Sequence, residues 1–345
     1  MLRWHARYLF GKRVTPLAFG LYLTSACNFR CDFCNIRRAS PGFTVPEEEA
    51  LALAEQLGRA GVVYFSISGG EPLLVPHVFR TLARARERGV LYTHLVSNGY
   101  LLDDAKAKEM AAARVSEISL SIDGPEDEHD ARRGMPGAYR HVLEAVARIQ
   151  THAPRTRIVL NAIFRPHRPE EVLHAVRIAK ELGVRIKIQP ENDHPALGGD
   201  EIAPPVNRAF TAEERERVLE VLERLGGMKH VANSRVFLKQ YGHFLFDREK
   251  LAFRGEACIY GYHHLESFNR RIVPCLEGMG WSGGAPLEGC NLEALVRSRE
   301  YRGEVEALRT CNGCRKNYYV CYYEPRLNFP VWHWARFHQV DEGWF

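Results

Sequence analysis

The sequence predicts an α/β fold: a partial (β/α)6 barrel, TIM-like in its strand–helix repeat, followed by a smaller cysteine-rich α+β extension. Two observations carry that prediction. Strand-like and helix-like stretches alternate six times up to Pro190, the rhythm of a parallel sheet with crossover helices. Beyond Pro190 the rhythm stops, and six of the nine cysteines come after it. Six units fall short of the eight that close a full barrel, so the sheet should stay open.

Met1 to Arg13 alternates aromatic and basic residues, with Trp4 and Tyr8 one helical turn apart. A short helix capping the base of the barrel is expected there, with membrane-surface contact through residues 1–13 as the alternative. Leu17 to Thr24 is apolar with a β-rich centre, and a cysteine loop follows at once. Helical periodicity from Pro46 to Ala60 leads to a strand from Val62 to Ser68. A helix from Pro76 to Arg88 stops at Gly89, and a strand runs from Val90 to Ser97. Asp103 to Ala113 reads as helix, Val115 to Ile122 as strand, Ala138 to His152 as helix and Arg157 to Phe164 as strand. Pro169 to Leu182, stopped by Gly183, is the last helix of the set, and Val184 to Gln189 the sixth strand. Glu191 to Pro205 is rich in Gly, Pro and acidic residues and reads as a loop. Thr211 and Glu214 are spaced as a capping box for a charged helix reaching Leu225. The expected division is a helical segment 1–16, a barrel 17–200, a helical linker 201–250, a cysteine-rich domain 251–328 and an aromatic tail 329–345.

Composition narrows the function classes. With 46% hydrophobic and 26% charged residues, neither a disordered nor a fibrous chain is indicated. The net charge of +5 is small and its Lys and Arg are spread along the chain, so nucleic acid is not an expected partner. No apolar run reaches the length of a membrane span and no signal peptide is visible, so a cytoplasmic location is expected. Nine cysteines in that compartment point to metal or redox chemistry rather than disulfides.

The strongest motif is Cys27-Asn28-Phe29-Arg30-Cys31-Asp32-Phe33-Cys34. One loop can turn all three thiols toward a common point, and thiolates are soft ligands suited to zinc or to an iron–sulfur cluster. Three are one too few for a closed zinc site, whereas a four-iron cluster held by three cysteines keeps one iron open. A second motif, Ser68-Gly69-Gly70-Glu71-Pro72, ends the second strand. Beyond residue 250, Cys311-Asn312-Gly313-Cys314 reads as a metal knuckle, and Cys258 and Cys275 flank an expected hairpin around Asn269-Arg270-Arg271. Cys290 has no partner in pattern and is expected to be a buried small hydrophobe.

These motifs resemble the radical S-adenosylmethionine (SAM) superfamily, whose loop reads C-x-x-x-C-x-x-C with an aromatic before the last cysteine, as Phe33 is here, and whose second strand ends in G-G-E-P. The resemblance implies that Cys27, Cys31 and Cys34 hold a [4Fe-4S] cluster whose open iron binds SAM through its amino and carboxylate groups. Gly69 and Gly70 would let the backbone approach the methionine end, and Glu71 would accept a hydrogen bond from its amino group. Ser121 would contact the ribose, with Asn98 and Asp123 as further contacts and Asn161 at a family polar position. Some relatives carry a Lys two residues before that Asn; this chain has Val159, which leaves Arg133 or Arg165 to meet the carboxylate. By the same resemblance, a flavodoxin or ferredoxin reduces the cluster, SAM is cleaved to a 5′-deoxyadenosyl radical, and the radical abstracts hydrogen from a peptide or small-molecule substrate.

The C-terminal part resembles the auxiliary-cluster extensions called twitch and SPASM domains. That resemblance maps a second [4Fe-4S] cluster onto Cys258, Cys275, Cys311 and Cys314, with Cys321 as a substitute ligand or a neighbour, and a role as electron acceptor. It departs from the longer pattern at Arg270, where that pattern has glycine. A zinc ribbon with the same thiolates is the alternative. The segment Gln189 to His194, with Glu191, Asn192, Asp193 and His194, either faces the substrate or is a solvated connector. Asp123, Glu191, Asp193 and His194 are the acid–base candidates. The tail Phe329-Pro330-Val331-Trp332-His333-Trp334 either lines a pocket or packs on the core. The rival function from another class is a non-catalytic zinc or iron–sulfur binding protein.

Overall fold

The computed structural model describes residues 16–38, 42–191, 209–250, 260–276, 284–308, 318 and 320. Six strands, β1 (Ala18–Tyr22), β2 (Tyr64–Ser68), β3 (Tyr92–Ser97), β4 (Glu117–Ser121), β5 (Arg157–Phe164) and β6 (Arg185–Pro190), lie side by side in chain order, each parallel to the next. The helices α1 (Glu47–Ala60), α2 (Val78–Glu87), α3 (Asp104–Ala112), α4 (Glu126–Arg133), α5 (Ala138–His152) and α6 (Glu171–Glu181) connect them. β6 is at one edge of the sheet, so the barrel is open, as six units require.

Apolar periodicity explains most of the helices. In α1 the buried positions are Ala50, Leu53, Ala54, Leu57 and Ala60, one face of the helix, while three glutamates occupy the first turn, where they favour the positive end of the dipole. α4 is different. Its buried residues are His129, Arg132 and Arg133, a polar face that hydrophobic periodicity cannot reveal, and it is absent from the sequence expectation. After β6 come α7 (Ala212–Gly227), which carries the capping box of Thr211 and Glu214, and α8 (Arg235–Phe246).

The concave side of the wall carries a polar layer. His94 on β3 meets Tyr64 Oη at 2.8 Å and Ser66 Oγ at 2.9 Å through Nδ1, and Ser119 Oγ at 2.8 Å through Nε2. Lys187 on β6 reaches past β5 to donate to Glu117 Oε1 at 2.9 Å, and Tyr92 donates to Glu117 Oε2 at 2.8 Å. Burial alone would push the Glu117 pKa up. The charges of Lys187 and His94, with the bonds from Lys187 and Tyr92, outweigh it and hold the carboxylate below its ordinary value.

The C-terminal extension, expected as a separate domain, joins the same sheet. α9 (Tyr260–His263) leads into β7 (His264–Phe268), which pairs in parallel with β1, Ala18 opposite His264 through Leu21 opposite Ser267. β7 turns back into β8 (Arg271–Val273) at the expected hairpin, with Asn269 and Arg270 at φ of 47° and 57°. Two successive left-handed residues make the tight turn whose twist matches antiparallel strands. Arg270 uses its side chain there, donating from Nε to Glu49 of α1 at 3.1 Å. β9 (Ala285–Pro286), α10 (Leu292–Arg297) and α11 (Arg299–Leu308) complete the described part. Phe268 packs edge-on against Phe43 and Tyr22, with ring centroids 5.0 and 5.3 Å apart, in a small core shared with Ile36, Val273, Leu276 and Cys34. The hairpin is thereby fastened to the cysteine loop. No helix among the described residues is long and apolar enough to cross a membrane.

Candidate functional site

The cysteine loop leaves the carboxyl end of β1, and its three thiols are half-buried. Its shape is set by backbone contacts. Cys34 N donates to Cys31 O at 3.3 Å, and Arg30 N and Asp32 N donate to the carbonyls of Arg133 and Arg132 at 3.1 and 2.9 Å. Phe33 lies under both arginines of α4, whose guanidinium carbons sit 4.7 and 5.0 Å from its ring centre. The aromatic before the last cysteine is thus a platform for two cations.

Gly69 and Gly70 lie directly against this loop. Gly70 N donates to Thr24 O at 2.7 Å and Glu71 N to Ala26 O at 2.8 Å. A Cβ on Gly69 would collide with the Thr24 carbonyl, and one on Gly70 with the Ala26 carbonyl. The glycines are required by the packing of strand on loop, a nearer cause than approach to a ligand. Glu71 also differs from expectation: its side chain is fully buried and occupied by the protein. Oε1 accepts from Leu73 N and Ser97 Oγ, both at 2.9 Å, and Oε2 from Asn98 N at 2.7 Å. Burial pushes its pKa up to about 7, against the pull of those three donors. Glu71 fixes Asn98, and Asn98 Nδ2 donates to Asn28 Oδ1 in the cysteine loop at 2.8 Å.

Asp123, just beyond β4, was expected at the ribose or as an acid–base group. In the structure it is buried and bound at both oxygens by Arg133, Nε to Oδ2 at 2.8 Å and Nη2 to Oδ1 at 3.1 Å, with Ile163 N also donating to Oδ1 at 3.0 Å. Burial raises its pKa, but the Arg133 charge and hydrogen bonds outweigh that and lower it. Arg133 is therefore committed to Asp123, and Arg165 to Glu171 and Glu128, so neither is free to replace the missing Lys. Arg132 is the group that sequence reasoning missed. It is buried, its Nη2 donates to Glu191 Oε1 at 3.0 Å, and its Nε and Nη1 have no hydrogen-bond partner. Ser121 and Asn161 are half-buried and paired in register at the carboxyl ends of β4 and β5.

With this arrangement in place, comparison with known proteins is informative. The family description "Radical SAM superfamily" matches residues 21–160, from β1 through the cysteine loop into β5. The chain carries a radical SAM domain. That family is one of enzymes. The AdoMet-dependent heme synthase of Methanosarcina barkeri is 33% identical over 49% of this chain and 48% of its own length. The PqqA peptide cyclase of Granulibacter bethesdensis is 28% identical over 49% of this chain and 45% of its own. The chain thus spans about half the length of the curated relatives it matches. Among solved structures, Streptococcus suis SuiB bound to S-adenosylmethionine superposes with a TM-score of 0.66 at 16% identity, covering 88% of this chain and 72% of that one. Native anSMEcpe with bound AdoMet superposes with a TM-score of 0.58 at 17% identity, covering 94% and 96%. At such identities the likeness is one of fold.

The radical SAM domain has the right chemistry to receive a cluster. Burial pushes the Cys31 thiol up to about 11, with Arg133 opposing, and also raises Cys27, so both hold their protons until a metal displaces them. Asn28 Nδ2, beside Cys27, is a buried donor with no partner. Among the described residues no three His, Cys, Asp or Glu side chains converge on a single ion. A four-iron cluster does not ask for that, because each thiolate takes its own iron. Cys275 is buried just past β8 and packs on the main core, and Cys290 is half-buried against it. Cys258, Cys311, Cys314, Cys321, Asn192, Asp193, His194, residues 1–15 and the tail 329–345 lie outside the described residues.

Proposed function

We propose that the chain is a radical SAM enzyme that cleaves S-adenosylmethionine reductively and uses the product to abstract a hydrogen atom from a peptide or small-molecule substrate. The observation that carries this reading is the cysteine loop, pressed on Gly69 and Gly70 at the carboxyl ends of the strands with an unsatisfied Asn28 amide beside Cys27. Cys27, Cys31 and Cys34 would hold the cluster, which with SAM supplies one-electron cleavage and hydrogen-atom abstraction. Arg132 and Arg133 clamp Phe33 and the loop backbone, and Glu71 acts through Asn98 to hold Asn28. Ser121 and Asn161 offer polar groups at the mouth for the ribose. A flavodoxin or ferredoxin in the cytoplasm would supply the electron.

The names of the relatives support a peptide or a small molecule: one is a peptide cyclase, another a heme synthase, and SuiB was also solved bound to a precursor peptide. We place a second four-iron cluster on Cys258, Cys275, Cys311 and Cys314, with Cys321 nearby, as electron acceptor. Cys275 lies just past the hairpin that packs on the cysteine loop, which favours that position. Anaerobic reconstitution tests both parts. Wild-type protein should hold about eight irons and form 5′-deoxyadenosine with dithionite, and Cys27→Ala/Cys31→Ala/Cys34→Ala should lose that activity and about half the iron. Unchanged cleavage in the triple variant would end the radical reading; a wild-type count near four would end the second cluster.

A further inference from the structure

At the end of the barrel opposite the cysteine loop, a cavity of about 1100 Å³ opens beneath the starts of β3, β4 and β5. Arg86, Arg114, Arg155 and Arg157 line it, and no Asp or Glu does among the described residues. Arg86 is held by the carbonyls of Val90 and Leu91. Arg114 and Arg155 are exposed, and neither guanidinium has an ion-pair or hydrogen-bond partner among the described residues.

The bland account is that these arginines offset helix ends. α2, α3 and α5 all finish at this rim, where carbonyls and the negative ends of dipoles favour cations. That account leaves the backbone of Arg114 unexplained. The equivalent exits from α1, α2 and α6 are made by Gly61, Gly89 and Gly183, at φ of 93°, 99° and 69°. The exit from α3 is made by Arg114, at φ 53°. A residue with a Cβ is disfavoured in this left-handed conformation, and glycine would close the helix better. The guanidinium at this position must contribute something that glycine cannot.

The donors and acceptors around the cavity select a ligand class. A compact anion such as inorganic phosphate would gain the guanidiniums but would lie against the carbonyls of three helix ends. An acidic peptide matches both, since its carboxylates accept from the planar arginine forks and its backbone N–H groups donate to carbonyls. We propose that this cavity docks an acidic peptide segment, away from the cysteine loop. The proposal stands independently of SAM chemistry, because the two sites are at opposite ends of a parallel sheet.

Fluorescence anisotropy on the full chain tests it, with a fluorescein-labelled Glu-Gly repeat peptide as the probe. Arg114→Gly/Arg155→Ala should weaken binding about tenfold or more, as the loss of charged hydrogen bonds predicts. Its melting temperature should hold or rise, because glycine suits the left-handed position. Arg140→Ala/Arg297→Ala removes the same charge from distant exposed positions and should leave binding within about twofold, since distant surface charges are screened. Equal loss in the two double variants would show attraction to net charge only, and overturn the proposal. So would undetectable binding to wild type, unchanged binding in the cavity variant, or displacement of the peptide by inorganic pyrophosphate at lower concentration than by unlabelled peptide.

Discussion

Two buried ion pairs bracket β4, and they hold different things. Glu117 opens the strand and takes its cation, Lys187, from β6, far along the chain and across the lumen. Asp123 follows the strand and takes its cation, Arg133, from the neighbouring helix α4. Both carboxylates are kept below their ordinary pKa against the effect of burial. The lower pair braces the curvature of the wall. The upper pair braces the cysteine loop, because Arg133 also covers Phe33 and accepts from Arg30 N through its carbonyl. Similar chemistry serves the barrel in one place and the site in the other.

The largest expected effect separates those two roles. Lys187→Met and Asp123→Ala each strand a buried charge and should cost ~3–5 kcal/mol of unfolding free energy in urea titrations. Reconstituted iron tells them apart: Asp123→Ala should lose the cluster of the cysteine loop, whereas Lys187→Met should retain it in whatever fraction remains folded. In Glu117→Gln/Lys187→Met no charge is left buried, and most of the stability should return. Equal iron loss in the two single variants would collapse the distinction.

Acid probes the lower layer alone. His94 is buried, and desolvation lowers its pKa to about 4, with Glu117 opposing and Lys187 assisting. A histidine with a depressed folded pKa stabilises fully above its unfolded value and loses that contribution as pH falls toward the folded one. Stability should therefore drop between pH 6.5 and 4, by up to ~3 kcal/mol for a shift of this size, beyond what the acidic residues contribute. In His94→Gln that component of the slope should vanish; a slope unchanged from wild type would remove His94 as its cause.

The next effect tests the upper region without a cation. Every group bonded to Glu71 is a donor, so Glu71→Gln turns its new amide toward the N–H of Asn98 or of Leu73 and should cost ~1–3 kcal/mol. Affinity for SAM, measured by calorimetry on reconstituted protein, should fall as well, because Asn98 holds Asn28. If Gln is neutral in both measurements, the carboxylate is not what fixes Asn98.

How far this was legible in the sequence follows from the same residues. The six strands and their helices could be read because each buries an apolar stripe, and the cysteine loop because its spacing is local. α4 could not be read, since the face it buries is His129, Arg132 and Arg133, and charged residues are buried only where tertiary partners await them. For the same reason Glu71 and Asp123 looked like ligand contacts: a sequence shows a carboxylate but not the donors that occupy it. The pairing of β7 with β1 joins residues nearly 250 positions apart, which periodicity within either segment does not encode. The Arg-Arg pair that ends in Gly134 was the available signal for the missed Arg132, a helix end with two adjacent cations close to an aromatic of the loop.

The smallest expected effect asks whether the lower layer is redundant where the upper region is not. Tyr64 Oη and Ser66 Oγ both meet His94 Nδ1, at 2.8 and 2.9 Å, while Nε2 has Ser119 Oγ at 2.8 Å. Removing the Tyr64 hydroxyl leaves Nδ1 bonded to Ser66, so no ring nitrogen is stranded, and the ring of Phe keeps its place against Tyr92, 5.6 Å between centroids. Tyr64→Phe should therefore cost only ~0.5–1 kcal/mol, the net value of one hydrogen bond, and Ser66→Ala a similar amount. The double variant removes both partners of a buried nitrogen and should cost more than the sum of the singles, because the desolvation penalty of Nδ1 is then uncompensated. Strict additivity in urea titrations would mean that only one of the two hydroxyls engages His94, and the redundancy assigned to this layer would be absent.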